Sequence, residues 1–276
     1  MRRLGLIAGG GRLPLEIAEQ CRRSGRPLFV VRLKGMADPA LKAFDGADVG
    51  LAELGKCLKA LKKADCEAVC LAGRVARPDF AQLAPDLRGL AALPGAIAAA
   101  RQGDDALLRF LIGEFEKEGF SIEGAETALG ELRLPPGPLG RHRPDAAQSE
   151  DARQALKVAR AIGELDIGQA AVVCDGLVLA VEAQEGTDAM LARVAQLPAH
   201  LRGDRATPRG VLAKAPKPIQ DLRVDLPTIG PATLRGVAAA GLAGVAAEAG
   251  RTIVLEREAT IALADELGLF VLGVAP

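Results

Sequence analysis

Apolar residues follow two spacings along this chain, short unbroken runs and longer stretches at helical intervals, and the two alternate from the first residues onward. The run Leu4–Ala8 ends in Gly9, Gly10 and Gly11, and residues 13–21 then place apolar side chains three and four apart. That order predicts a strand, a glycine turn and a helix. Residues 27–33 repeat the strand pattern, residues 51–61 lead through a basic helix, and Ala68–Ala72 supplies a third strand. Strands alternating with helices imply a parallel sheet with helices on its faces, a Rossmann-like N-terminal domain.

The second half differs in one respect, a hairpin. A helix over 152–162 precedes the apolar run Ala170–Cys174, Asp175 and Gly176 form a two-residue turn signal, and residues 177–183 return as the partner strand. Thr187 and Asp188 suit the cap of a helix reaching residue 196. Residues 211–215, 234–247, 253–255, 261–267 and 269–274 continue the alternation as strands and helices. Between the halves, residues 133–148 read "RLPPGPLGRHRPDAAQ", a linker by composition. The fold class is therefore α/β in two domains: residues 1–132 as a Rossmann-like parallel sheet, a linker over 133–148, and residues 149–276 as a mixed α/β catalytic domain.

Composition narrows the partners. The chain has 276 residues, with 35 basic and 35 acidic side chains, so no net field draws it to nucleic acid or an anionic surface. Trp and Tyr are absent, which leaves few platforms for stacking bases, and nucleic acid is excluded as a partner. Five cysteines without C-x-x-C spacing read as reduced core thiols. Glycines interrupt the N-terminal apolar run before it forms a signal-peptide core, and apolar runs fall short of the roughly 20 residues a spanning helix needs, so a soluble cytoplasmic protein is expected.

Five stretches carry candidate chemistry. The first turn reads G-x-G-x-x-P, with Pro14 where a dinucleotide fingerprint has glycine, and the second strand ends near Arg32 and Lys34. Gly10 and Gly11 still let a phosphate approach the backbone at a helix start, although a tight turn without a ligand has the same sequence. Gly73 and Arg74 follow the third strand, at the edge where open α/β sheets bind ligands. Asp104 and Asp105 open a helix, and capping accounts for one of them. Residues 83–100, with Leu87, Leu90, Leu93 and Ile97, either pack on the sheet or wall an apolar groove, and Pro94 is expected to interrupt them. Residues 214–233 gather Lys214, Lys217, Asp221, Arg223 and Asp225 among prolines, on an extended path that ends in the helix start Gly230–Pro231. A solvated loop with ion pairs accounts for the same charges. Asp221 is explained equally well by pairing with Arg223.

The stretches "LIAGGGRLP", "GRVARPDF", "GDDALLR", "LDIGQAAVV", "VEAQEGTDAML" and "KAPKPIQDLRVDLPTIGPAT" carry a resemblance that covers nearly the whole chain. In this order they resemble the LpxI-type UDP-2,3-diacylglucosamine pyrophosphatases of lipid A biosynthesis. The resemblance implies hydrolysis of the nucleotide lipid to UMP and 2,3-diacylglucosamine 1-phosphate with magnesium, by water attack on the uridine-side phosphorus. It implies a cytoplasmic protein peripheral to the inner membrane, and it leaves room for a homo-oligomer. Asp225 is then catalytic and holds Mg2+. Gly10, Gly11, Arg12, Leu13, Gly73, Arg74, Asp104, Asp105, Thr187, Asp188, Lys214, Lys217 and Gln220 are the expected substrate contacts. Two other readings stand beside it: an NADP(H) oxidoreductase using Arg32 and Lys34, and a nucleotide-lipid carrier without catalysis.

Overall fold

The computed structural model describes residues 1–75, 79–129, 132–217 and 226–275. Two compact units form within it, one up to Leu129 and one from Leu132 onward.

The first unit is a five-stranded sheet of order β3-β2-β1-β4-β5, parallel throughout. Its strands are β1 (Leu4–Ala8), β2 (Leu28–Leu33), β3 (Gly46–Val49), β4 (Ala68–Ala72) and β5 (Ser121–Ile122). Helices α1 (Leu13–Ser24), α2 (Leu54–Lys63), α3 (Leu87–Ala100), α4 (Asp104–Lys117) and α5 (Ala125–Leu129) connect them. Every residue of β1 is buried, because helices cover both faces of a parallel sheet and leave no face for polar residues. Ile7, Val31, Leu58, Val69, Ile112 and Phe115 pack together on one side of it. The chain winds from β1 out to β3 and returns to β4, so the direction of winding reverses between β1 and β4.

The second unit is a six-stranded mixed sheet of order β6-β13-β11-β9-β7-β8. Its strands are β6 (Gly137–Leu139), β7 (Ala170–Cys174), β8 (Leu177–Val181), β9 (Val211–Lys214), β11 (Gly244–Glu248) and β13 (Phe270–Val274), while β10 (Thr228–Ile229) and β12 (Ile253–Val254) pair apart. Its helices are α6 (Ala146–Glu164), α7 (Gly186–Ala195), α8 (Ala199–Arg202), α9 (Pro231–Ala239) and α10 (Arg257–Leu267). Strands β9, β11 and β13 run parallel, and the hairpin β7–β8 lies antiparallel at one edge. Asp145 and Gln148 start α6 with a reciprocal capping box.

Four expectations are corrected. Residues 133–148 are not a linker: β6 pairs antiparallel with β13, Leu134 is fully buried, and Asp145 caps α6. Proline misleads there because an edge strand tolerates residues without an amide donor. Pro94 does not break α3, which runs through it with the proline ring exposed. A carbonyl freed on the water side can be hydrated, and the opposite side is held where Gly95 meets the Phe110 ring, too close for a side chain. Residues 234–247 are two elements, α9 and β11, whose apolar positions run together in sequence. The helix after the hairpin starts at Gly186 with Glu185 at its N-cap position, and Thr187 does not cap it.

Candidate functional site

At the winding reversal the loops after β1 and β4 clasp each other. The Gly9 amide donates to the Ala72 carbonyl (2.9 Å), and Gly10 and Arg74 exchange two backbone hydrogen bonds of 2.8 Å each. Gly73 is required by this approach: a Cβ there would stand 2.7 Å from the Gly10 oxygen and from Pro14 Cγ, at a φ of +94°. Two of the three turn glycines therefore spend their amides inside the protein. What remains is at Gly11, exposed, with a φ of +89° and nothing nearer to its missing Cβ than Arg74 Nε at 3.8 Å. Arg12 occupies the N-cap of α1 without a side-chain cap, and Pro14 removes one donor from the first turn. Among the described residues the Gly11 and Leu13 amides meet no acceptor, so they and the exposed Arg74 guanidinium can offer donors to an anion at a helix N-terminus.

Beside this turn lies an apolar cavity with about 600 Å³ of atom-free space, part of it open to solvent. Its wall includes Leu83, Leu93 and Ala96 on one side and Leu107, Phe110 and Leu111 of α4 on the other. Val75 joins the two places: it lines the cavity, and its Cγ2 lies 3.1 Å from the Cβ position of Gly9. The expectation for residues 83–100 therefore divides. Leu93 faces the cavity, whereas Leu87 and Leu90 are exposed. Asp104 and Asp105 open α4 behind Gly103; Asp104 is exposed, and Asp105 is buried in an ion pair with Arg109 one turn on.

The two cations proposed for a 2′-phosphate are engaged elsewhere. Arg32 binds Asp48 at 2.6 Å and the carbonyls of Leu41 and Phe44, while Lys34 binds Glu53 at 3.2 Å. The Arg32 hydrogen bond holds the Asp48 carboxyl below its ordinary range. Together with Pro14 this removes the support for an NADP(H) oxidoreductase.

In the second unit, charge gathers at the carboxyl ends of β9 and β11. Lys214 closes β9, is 5% exposed, and donates to the Thr228 carbonyl at 3.1 Å. It stands in register with Ala247, so the next residue of β11, the buried Glu248, lies past it on the neighbouring strand. Glu248 accepts from Arg160 at 2.6 Å, with Arg251 at 3.6 Å. On the other side, β9 borders β7, and the Ala215 amide donates to the Gln169 carbonyl at 3.0 Å. The buried Glu182 accepts from the Gln169 amide (3.2 Å) and the Thr187 hydroxyl (2.9 Å). Lys217 pairs with Asp166 at 2.5 Å, and Asp188 is exposed in the first turn of α7. Thr187 is thus linked through Glu182 and Gln169, two residues the sequence reading did not single out, to Ala215, the residue after Lys214. An acid that ends an apolar run, as Glu182 and Glu248 do, was the available signal.

Gln220, Asp221, Arg223 and Asp225 lie outside the described residues. Among the described residues, Asp151, Cys174 and Asp175 bring ligand atoms within 4.8 Å of one another. They do not suit magnesium. Both Asp151 oxygens accept turn amides, from Asp175 (2.9 Å) and Gly176 (2.8 Å), Asp175 pairs with Arg209, and burial pushes the Cys174 thiol up to about 11.

Comparison with known proteins joins the two units. Residues 3–132 match the family model described as the LpxI N-terminal domain, and residues 135–272 match the LpxI C-terminal domain. A curated protein of Caulobacter vibrioides, UDP-2,3-diacylglucosamine pyrophosphatase LpxI, is 62% identical over 276 residues, covering 100% of this chain and 99% of that one. Among solved structures, N5-carboxyaminoimidazole synthase from Aspergillus clavatus is 16% identical over 67% of this chain and 41% of its own, with a TM-score of 0.24, too low to bear on the fold.

Proposed function

Because the chain belongs to the LpxI family, we propose that it hydrolyses the pyrophosphate bond of UDP-2,3-diacylglucosamine to UMP and 2,3-diacylglucosamine 1-phosphate, a step of lipid A biosynthesis. The observation that carries this reading is the junction at Val75, where a turn offering amide and guanidinium donors abuts an apolar cavity. A ligand with a phosphate end and a hydrocarbon end needs both, next to each other. Burial of an acyl chain supplies about 0.8 kcal/mol per methylene, and donors at Gly11, Leu13 and Arg74 offset phosphate charge.

In this reading water attacks the uridine-side phosphorus. The bond from that phosphorus to the bridging oxygen breaks, and the sugar 1-phosphate leaves with the electron pair. The water proton passes to a carboxylate, for which Asp225 is the candidate. Magnesium would be held by Asp225 and, when bound, would neutralise charge on the pyrophosphate oxygens. No catalytic step is required of the two histidines.

Turnover in water enriched in oxygen-18, with magnesium present, tests the reading. The label is expected in UMP, and Asp225→Ala is expected to lose turnover by at least about a thousandfold while still binding substrate. Label in the lipid phosphate would reverse the direction of attack. Near wild-type release of UMP by Asp225→Ala would remove that residue from the mechanism. A protein that binds the nucleotide lipid and releases no UMP would be the carrier.

A further inference from the structure

Helix α3 is apolar on both of its faces. Gly89, Ala92, Leu93 and Ala96 line the cavity. On the opposite side Leu87, Leu90, Ala91, Pro94 and Ala98 are exposed, with Leu87 at 89% and Leu90 at 56%. These positions, three and four apart, form one stripe along the whole helix. A helix that is apolar all round belongs in a core or in a membrane, and α3 lies at the surface of its unit. It is not a spanning segment: at 14 residues it is about 21 Å long, against roughly 30 Å of hydrocarbon. The remaining place for it is flat in the interface of a lipid layer.

Charge agrees with that placement. From Leu87 to Gly103 the charged residues are two cations: Arg88, which pairs with the buried Glu114 at 2.7 Å, and Arg101, which makes no ion pair among the described residues and is the cation left for an anionic surface. A second copy of the chain is a poorer occupant. Two leucines, two alanines and a proline cannot supply the roughly 800 Å² per partner that a stable dimer buries.

We propose that the outer face of α3 is a membrane-docking surface that inserts Leu87 and Leu90 among the acyl chains of an anionic lipid layer, and that the cavity on its inner face receives acyl chains drawn from that layer. The first part stands on α3 alone; the second rests on the lipid-substrate reading above. The helix would be the wall between the bilayer and the site, with hydrocarbon on both sides of it.

The test uses the full chain and vesicles of phosphatidylethanolamine with phosphatidylglycerol. Wild type is expected to sediment with the vesicles, and L87E/L90E is expected to lose that binding by at least about tenfold. Both side chains point into water, so the fold is expected to persist, with an unchanged circular dichroism spectrum and melting midpoint. Turnover of substrate embedded in vesicles should fall with binding, whereas turnover of a short-chain substrate free in solution should not change. Equal sedimentation of both proteins, or none by wild type, overturns the proposal, as does a double variant whose only change is conversion of a dimer to a monomer. Vesicle binding lost in the double variant, with no hydrolysis of either substrate by wild type, would retain the docking surface and sink the pyrophosphatase reading instead.

Discussion

Both units end their parallel strands in an edge of the kind where α/β folds take ligands, yet the two edges are built from opposite materials. In the first unit the edge is backbone: two loops clasped through Gly10 and Arg74, an open Gly11, and an apolar cavity behind Val75. In the second it is buried charge: Lys214, Glu248 and Glu182, each committed to a named partner. Amides at a helix start meet an anion without a charge having been taken out of water beforehand. Buried ions have already lost their water and depend on every partner being present. The first edge should therefore fail through shape and the second through charge.

The harshest test of shape is at the clasp. Gly73→Val puts a branched side chain onto the Gly10 carbonyl at a left-handed φ, and a loss of several kcal/mol, about 3 or more, is expected by urea unfolding. Gly11→Ala meets the same backbone constraint with open space around it, and about 1 kcal/mol is expected, together with a raised KM. Equal stability of the two variants would show that the clasp does not hold the edge together.

Charge is tested next. Glu248→Gln keeps the volume of a side chain that is 3% exposed but weakens its ion pairs with Arg160 and Arg251. Both arginines are about half exposed and can be rehydrated, so the expected loss is moderate, about 2 kcal/mol, smaller than for an unpaired buried ion. It should appear in the melting of the second unit while the first is unchanged. A variant as stable as wild type would mean that the edge in the second unit is not organised by charge.

The contrast also explains what the sequence could reveal. Strands β1, β4 and β7 are legible to the residue because buried strands are unbroken apolar runs closed by Gly or Asp. β3 is not: "GADV" has a charged residue in it, and only the pairing of Asp48 with Arg32 on β2 makes that residue at home. Gly9, Gly10 and Gly11 announce a tight turn, but which of their amides are left over depends on Arg74, more than sixty residues away. The prolines of 133–148 hide an edge strand whose partner, β13, comes at the end of the chain. Local chemistry survives in sequence, and the long-range partner that decides its use does not.

The smallest expected effect concerns the thiols, which divide unequally between the units. Burial, with the Asp86 charge adding to it, pushes Cys57 up to about 12, and burial pushes Cys66 up to about 11 and raises Cys21, all in the first unit. The second unit has Cys174, pushed up to about 11. A raised folded pKa means that the native state holds its proton where the unfolded chain releases it. The stability is therefore complete below the unfolded value, near 9, and is lost as pH rises toward the folded one. Cys57 alone should cost roughly 1 kcal/mol over the first pH unit above 9, and the shifts in the first unit exceed those in the second. Thermal melts from pH 8 upward should show the first unit destabilised before the second. Cys57→Ala should flatten the alkaline slope of the first unit and leave that of the second unchanged. A slope that ignores Cys57→Ala would show that its thiol does not set the alkaline limit, and would shift attention to Lys34, whose pairing with Glu53 raises its pKa and weakens when the amine loses its proton.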